Sequence, residues 1–218
     1  MNIDNTISKI QEIGIVPVVR AANLDEARRA IDAICTGGIP IIEVTMTVPN
    51  APAMIQELTR QYGSGVLTGA GTVTTAKQAE ICLDAGAQFL VSPGLSVPVL
   101  QTAGARGVLA IPGALTPTEV MAALDAGAKV IKIFPCGSAG GSKHIKALKA
   151  PFPETRLIPT GGVNLSNAAD YFAAGSFALG VGADLVDLAA LRRNEPNKII
   201  DMAKALIDAV RRARSAKQ

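Results

Sequence analysis

Short runs dominated by valine, isoleucine and leucine return along this chain at a nearly even beat, and that recurrence limits its fold more than any other feature. They fall at 14–19 (GIVPVV), 40–46 (PIIEVTM), 65–70 (GVLTGA), 88–92 (QFLVS), 107–111 (GVLAI), 129–134 (KVIKIF), 156–160 (RLIPT) and 177–181 (FALGV), eight in all. Nearly every residue in each run is apolar, as expected of strands in a parallel sheet covered on both faces. Helical patterns lie between them. In 24–35 (LDEARRAIDAIC) the apolar residues Leu24, Ala27, Ile31 and Ile34 share one face. Asn23 is a good cap there, and Glu26 three residues on predicts a capping box. The segment 116–127 starts on Thr116 and Pro117 and stops at Gly127, and 75–86 and 166–175 repeat the helix-then-glycine phrase.

Strand and helix in alternation allow an open doubly wound sheet or a closed barrel. Eight evenly spaced strands in 218 residues favour the barrel, so the expected fold is α/β, a TIM (β/α)8 barrel forming one domain over residues 1–218. An amphipathic segment at Ile7 to Ile13 is expected to close the barrel bottom, and a last helix is expected from about Asn197 to Ala213. Composition agrees with a compact body: 49% of residues are hydrophobic and 18% charged, which excludes a disordered or fibrous chain.

The same counts exclude several partners. A net charge of +3, two Tyr, five Phe and no Trp leave little to hold a phosphate backbone or stack on bases, so no nucleic acid is expected. Cys35, Cys82 and Cys136 are odd in number and lack C-x-x-C spacing, which argues against a disulfide framework or a zinc site. No Asp, Glu and His cluster suggests a metal, and no cofactor is expected. With no apolar run of 18 residues and no apolar leader at the start, a cytoplasmic protein without a membrane partner is expected.

In such a barrel, chemistry belongs at the C-terminal ends of the strands. Lys132 stands in VIKIF and Glu43 in PIIEVTM, each a charge inside an apolar strand. A buried charge must be paired, neutralised or useful. A desolvated lysine loses its proton more readily, and its free amine attacks a ketone to form a Schiff base. A neighbouring carboxylate then shuttles protons through the imine and enamine stages. A structural Lys–Glu ion pair is the simpler alternative. The turns in IPTGGVN (158–164) and LGVGADLV (179–186) lead from a strand through glycines towards a helix start, an arrangement that presents backbone N–H groups to a phosphate. His144 and the lysines at 143, 146 and 149 read as a solvated helix face, and Cys136 has little call to be a nucleophile.

Taken in order, GIVPVVR, IIEVTMTVPNA, GAGTV, AGAQFLVSPG, IPGALTPTE, VIKIFP, PFPETRLIPTGGV and GVGADLV resemble the 2-keto-3-deoxy-6-phosphogluconate (KDPG) and 2-keto-4-hydroxyglutarate (KHG) aldolases. The resemblance runs from about Ile13 to Val186. It implies a homotrimeric, metal-independent class I aldolase that splits KDPG into pyruvate and glyceraldehyde 3-phosphate, with 4-hydroxy-2-oxoglutarate as a second substrate of the family. It further implies that Lys132 forms the Schiff base and that Glu43 is the general acid and base. By the same resemblance, Thr72 and Thr160 line the site, Pro93 and Phe134 wall it, and the backbones at Gly161, Gly162, Gly180 and Gly182 hold the phosphate. Where some members carry an arginine that pairs the pyruvate carboxylate, this chain has Thr47, and where some have a phosphate-binding serine it has Ala183. Arg20, at the end of strand one, is the candidate anion-binding guanidinium, able to make a bidentate contact with a carboxylate. The galactonate epimer as substrate, a phosphosugar isomerase or synthase, and a phosphometabolite-binding protein are the alternatives that the residues leave open.

Overall fold

The computed structural model describes residues 2–215. Helix α1 (Ile3–Ile13) leads into β1 (Ile15–Val19), followed by α2 (Leu24–Thr36), β2 (Ile41–Thr45), α3 (Ala51–Tyr62), β3 (Leu67–Gly71), α4 (Ala76–Asp84) and β4 (Phe89–Val91). The second half runs α5 (Val97–Ala105), β5 (Leu109–Ile111), β6 (Gly113–Ala114), α6 (Pro117–Asp125), β7 (Ile131–Ile133), α7 (Ser142–Lys149) and β8 (Leu157–Pro159). It ends with α8 (Ala168–Ala173), β9 (Leu179–Val181), α9 (Leu188–Arg192) and α10 (Asn197–Ser215).

The strands pair in parallel throughout and make a curled sheet in two arcs, one of order β5-β4-β3-β2-β1-β9 and one of order β6-β7-β8. A bridge between Thr160 and Gly180 brings the end of β8 against β9. At the other junction only Pro112 stands between β5 and β6. The sequence predicts eight strands and the described residues contain nine, because the fifth continues past Pro112. Proline has no N–H to give to a ladder. Its carbonyl still accepts from Lys132 N at 2.9 Å, so the register is carried across the interruption. All five residues of β1, β2 and β3 are buried, which is why those segments read as unbroken apolar runs.

The helices cover the outer face. Residues from Ile7 on α1 to Val210 on α10 belong to one continuous hydrophobic cluster. On α1 the buried face carries Ile7 and Ile10, and on α10 it carries Ile199, Ala203, Leu206 and Val210. Helix α10 approaches α2 where Gly37 ends the latter. A Cβ on Gly37 would lie 2.5 Å from that of Ala203, so a glycine is needed for the two helices to touch there.

Helix α6 has a complete capping box, with Thr116 Oγ1 accepting from Glu119 N while Glu119 accepts from Thr116 N. The box predicted at Asn23 is only half formed. Asn23 accepts from Glu26 N as expected, but the Glu26 carboxylate turns to Ala22 N and to Arg192, whose Nε lies 2.6 Å away. The hydrogen bond from that guanidinium holds the Glu26 carboxyl below its usual range. His144 also departs from expectation: a ring nitrogen lies 2.7 Å from Leu115 O, so it ties α7 to the β6–α6 loop instead of facing solvent. Lys149 is likewise engaged, donating to Thr155 O at 3.0 Å. No helix among the described residues is long and apolar enough to cross a membrane.

Candidate active site

Side chains on a strand alternate between faces, so Glu43 on β2 and Lys132 on β7 each point where their neighbours in sequence do not. Both point inward. Lys132 and Glu43 line one cavity with Val16, Val91, Ile111, Ile158, Thr160 and Gly180, contributed by strands on every side of the sheet. Lys132 is 4% and Glu43 2% exposed. Lys132 Nζ lies 3.9 Å from Glu43 Oε1, close enough for strong Coulomb attraction in a dry interior but beyond a hydrogen bond. Glu43 Oε1 has no hydrogen-bond partner. Leaving a buried carboxylate oxygen unpaired costs stability, so the geometry fits an acceptor kept ready better than a pair optimised to hold the fold.

The amine is further flanked by Phe134, whose ring centroid is 5.3 Å from Nζ. Thr160, 4% exposed, makes one long contact from its hydroxyl to Ile158 O at 3.4 Å and is otherwise free to meet a ligand in the cavity. Two strand glycines make room for these groups. A Cβ on Gly71 would sit 1.9 Å from Glu43 Oε1, and one on Gly180 would sit 2.1 Å from Thr160 Oγ1. The clearance role of Gly71 is missed by the sequence reading, although a glycine inside a strand beside a buried charge is the signal for it.

The structure separates the glycines grouped by motif. Gly180 lies inside β9 and lines the Lys132 cavity, where the absence of a side chain admits Thr160. Gly182 lies one layer nearer the surface, in a pocket with Arg20, Ala183, Val186 and Asp187. Arg20 therefore shares a pocket with the strand-nine turn and not with Thr47. Gly161 and Gly162 follow β8 with φ of 86° and 77°, conformations that favour glycine, and their turn packs against Phe134 and Gly137.

At the rim, Thr72 follows β3 with φ of 60°, a left-handed conformation that costs a β-branched residue on the order of 1–3 kcal/mol and gathers at functional sites. Thr45 at the end of β2 and Thr47 in the turn that follows have hydroxyl oxygens 2.6 Å apart, and Thr45 also donates to Val19 O at 3.0 Å. Pro93 is exposed in the loop after β4, outside the Lys132 cavity, and packs its backbone on Gly113. Cys136 is buried, and burial pushes its thiol up to about 11, so it stays protonated at neutral pH. Iodoacetamide at pH 7.5 is accordingly expected to leave Cys136 unmodified in the folded protein, as read by peptide mass mapping, and rapid alkylation would contradict its packing. Among the described residues no group of three or more His, Cys, Asp or Glu side chains is placed to hold a metal ion.

The sequence profile of the KDPG and KHG aldolase family matches residues 6–202. The 2-dehydro-3-deoxy-phosphogluconate aldolase of Treponema pallidum is 40% identical over 164 residues, spanning 75% of this chain and 78% of that protein. The KHG/KDPG aldolase of Escherichia coli K12 is 34% identical over 194 residues, spanning 89% of this chain and 91% of that protein. Among solved structures, KDPG aldolase from Legionella pneumophila, with pyruvate captured at low pH as a covalent carbinolamine intermediate, superposes with a TM-score of 0.84. It is 30% identical, covering 92% of this chain and 97% of its own. An amine beside an unpaired carboxylate inside a curled parallel sheet thus coincides with a family match over most of the sequence, and the chain is an aldolase of the KDPG and KHG aldolase family.

Proposed function

We propose that the chain is a class I aldolase that cleaves KDPG to pyruvate and glyceraldehyde 3-phosphate through a Schiff base on Lys132. The single observation that carries this reading is the buried Lys132 Nζ, 3.9 Å from a Glu43 oxygen that no other group satisfies. Lys132 passes a proton to Glu43, the freed amine attacks the C2 ketone to give a carbinolamine, and Glu43 hands that proton to the departing hydroxyl as water is lost to form an iminium. Glu43, again a carboxylate, takes the C4 hydroxyl proton. The C3–C4 bond breaks, its electron pair moves towards the iminium, and the aldehyde leaves an enamine. Glu43 returns its proton to C3, and water hydrolyses the resulting iminium to release pyruvate and the free amine.

In this reading the two arcs of strands act as one closed (β/α)8 barrel over the whole chain, with α1 closing its bottom. Arg20 and the turn at Gly182 receive the phosphate, and with Ala183 in place of a serine the backbone carries more of that contact. Thr72 and Thr160 flank the keto acid, and Phe134 walls the amine. The resemblance further supports a homotrimer. Ile81 on α4, Val97 on α5 and Met121 on α6 are exposed apolar side chains on consecutive helices and offer a surface for it. A stable active monomer in a sedimentation experiment would refute that assembly.

Borohydride reduction in the presence of pyruvate tests the mechanism. A stable pyruvyl adduct on the peptide carrying Lys132 is expected, and labelling at another lysine, or none, would sink the assignment.

A further inference from the structure

The pocket that holds Arg20 stands outward of the amine along the same two chain segments. Val16 and Gly180 line the Lys132 cavity, and Val18 and Gly182, each two residues further on, line the Arg20 pocket. Two residues of strand advance about 6–7 Å, so a six-carbon keto acid held at C2 by Lys132 carries its far end towards this pocket. Its walls are apolar at Val18, Val186 and Leu188, and Ala183 adds no hydroxyl donor. Among the described residues that line it, Arg20 is the one cation and Asp187 the one carboxylate. Neither is in an ion pair with any described residue. Asp187 is held in place, because its Oδ1 accepts from Ala190 N at 2.8 Å and caps the first turn of α9. That cap does not need the charge, since asparagine caps as well as aspartate. Asp187 also borders an outer pocket with Asp184, Asp201 and Lys198, where acidic groups outnumber the cation. A pocket shaped for phosphate alone gathers cations, whereas this one sets a carboxylate against a single guanidinium.

From this charge balance we propose that Asp187 is a specificity-determining residue of the far-end pocket, which holds down the preference for phosphate and admits a hydroxyl-ended keto-deoxy acid as a second substrate class. The proposal rests on the aldolase reading above, with the phosphate at Arg20. A phosphate carrying nearly two negative charges is attracted by Arg20 and repelled by Asp187 in the same pocket. A hydroxyl meets no such conflict, because it can donate to the carboxylate and accept from the guanidinium. The chemistry at Lys132 is the same for both, since 2-keto-3-deoxygluconate differs from KDPG only in lacking the phosphate on C6.

The test compares kcat/KM for KDPG and 2-keto-3-deoxygluconate in the wild type, Asp187→Asn and Arg20→Gln. The wild type is expected to cleave both. Asparagine keeps the cap on α9 and removes the charge, so the ratio of kcat/KM, KDPG over the unphosphorylated acid, is expected to rise by about fivefold, the size of one screened surface charge interaction. Arg20→Gln is expected to lower the same ratio by about fivefold, and added salt should shrink both shifts. An unchanged or lowered ratio in Asp187→Asn would leave Asp187 as a helix cap and overturn the proposal. So would a shift undiminished by salt, or a wild type that does not cleave the unphosphorylated acid. An unchanged ratio in Arg20→Gln would put the phosphate elsewhere and overturn the proposal together with that part of the reading. Pyruvate trapping on the wild type keeps the failures apart. An adduct on Lys132 with an unchanged ratio in Asp187→Asn defeats only the role of Asp187, whereas no adduct defeats the Schiff-base reading beneath it.

Discussion

Replacing Lys132 by arginine is expected to lower kcat by on the order of 10^4-fold or more, with no pyruvate adduct after borohydride. Arginine keeps a positive charge near Glu43 but cannot form the imine, so the variant separates covalent from electrostatic use of the cation. A phosphosugar isomerase that used Lys132 only as a clamp would keep measurable turnover. Lys132→Met adds a second, structural measurement. Removing one partner of a buried pair strands the other, and typically costs 3–5 kcal/mol, whereas replacing both with apolar groups is often neutral or stabilising. Lys132→Met is therefore expected to unfold at lower temperature than Lys132→Met/Glu43→Leu, with both inactive. If the double variant were the less stable of the two, the pair would be part of the scaffold and the case for a site kept at the expense of stability would weaken.

The Val and Ile runs could be located from sequence because strands buried on both faces leave no polar alternation to confuse them. Lys132 and Glu43 stood out for the same reason, since a charge in a run with no solvent face has few explanations. Their partnership is tertiary: residues 89 positions apart meet only when β2 and β7 face the same cavity. The break at Pro112 was hidden because GVLAI ends just before it and the two-residue β6 is too short to give a periodic signal. Glu26 was misread because spacing showed the local bond to Asn23 and not the competing guanidinium of Arg192, far along the chain. The glycines were grouped by motif, but Gly180 and Gly182 lie in successive layers of one strand end, so one admits Thr160 and the other lines the pocket of Arg20.

Gly71→Ala is expected to lower kcat by about 10^2 to 10^4-fold, the span of general acid–base catalysis, while the protein stays folded. The new Cβ would lie 1.9 Å from Glu43 Oε1, 2.6 Å from its Cδ and 2.7 Å from its Cγ, so the carboxylate must leave its place beside Lys132. Gly71 lies within β3 and is not among the glycines with positive φ, so alanine is acceptable to the backbone and the clash falls on the Glu43 side chain. Gly71 is thus a positioning residue that acts through Glu43. The loss should appear in the proton-transfer steps: exchange of the pyruvate methyl protons with deuterated solvent should slow by more than adduct formation on Lys132. Combined with Glu43→Gln, which already removes the proton carrier, Gly71→Ala should add little, because two changes that disable one function are not additive. Fully additive losses in the double variant, or methyl exchange at the wild-type rate in Gly71→Ala, would show that the carboxylate does not need the space this glycine leaves it.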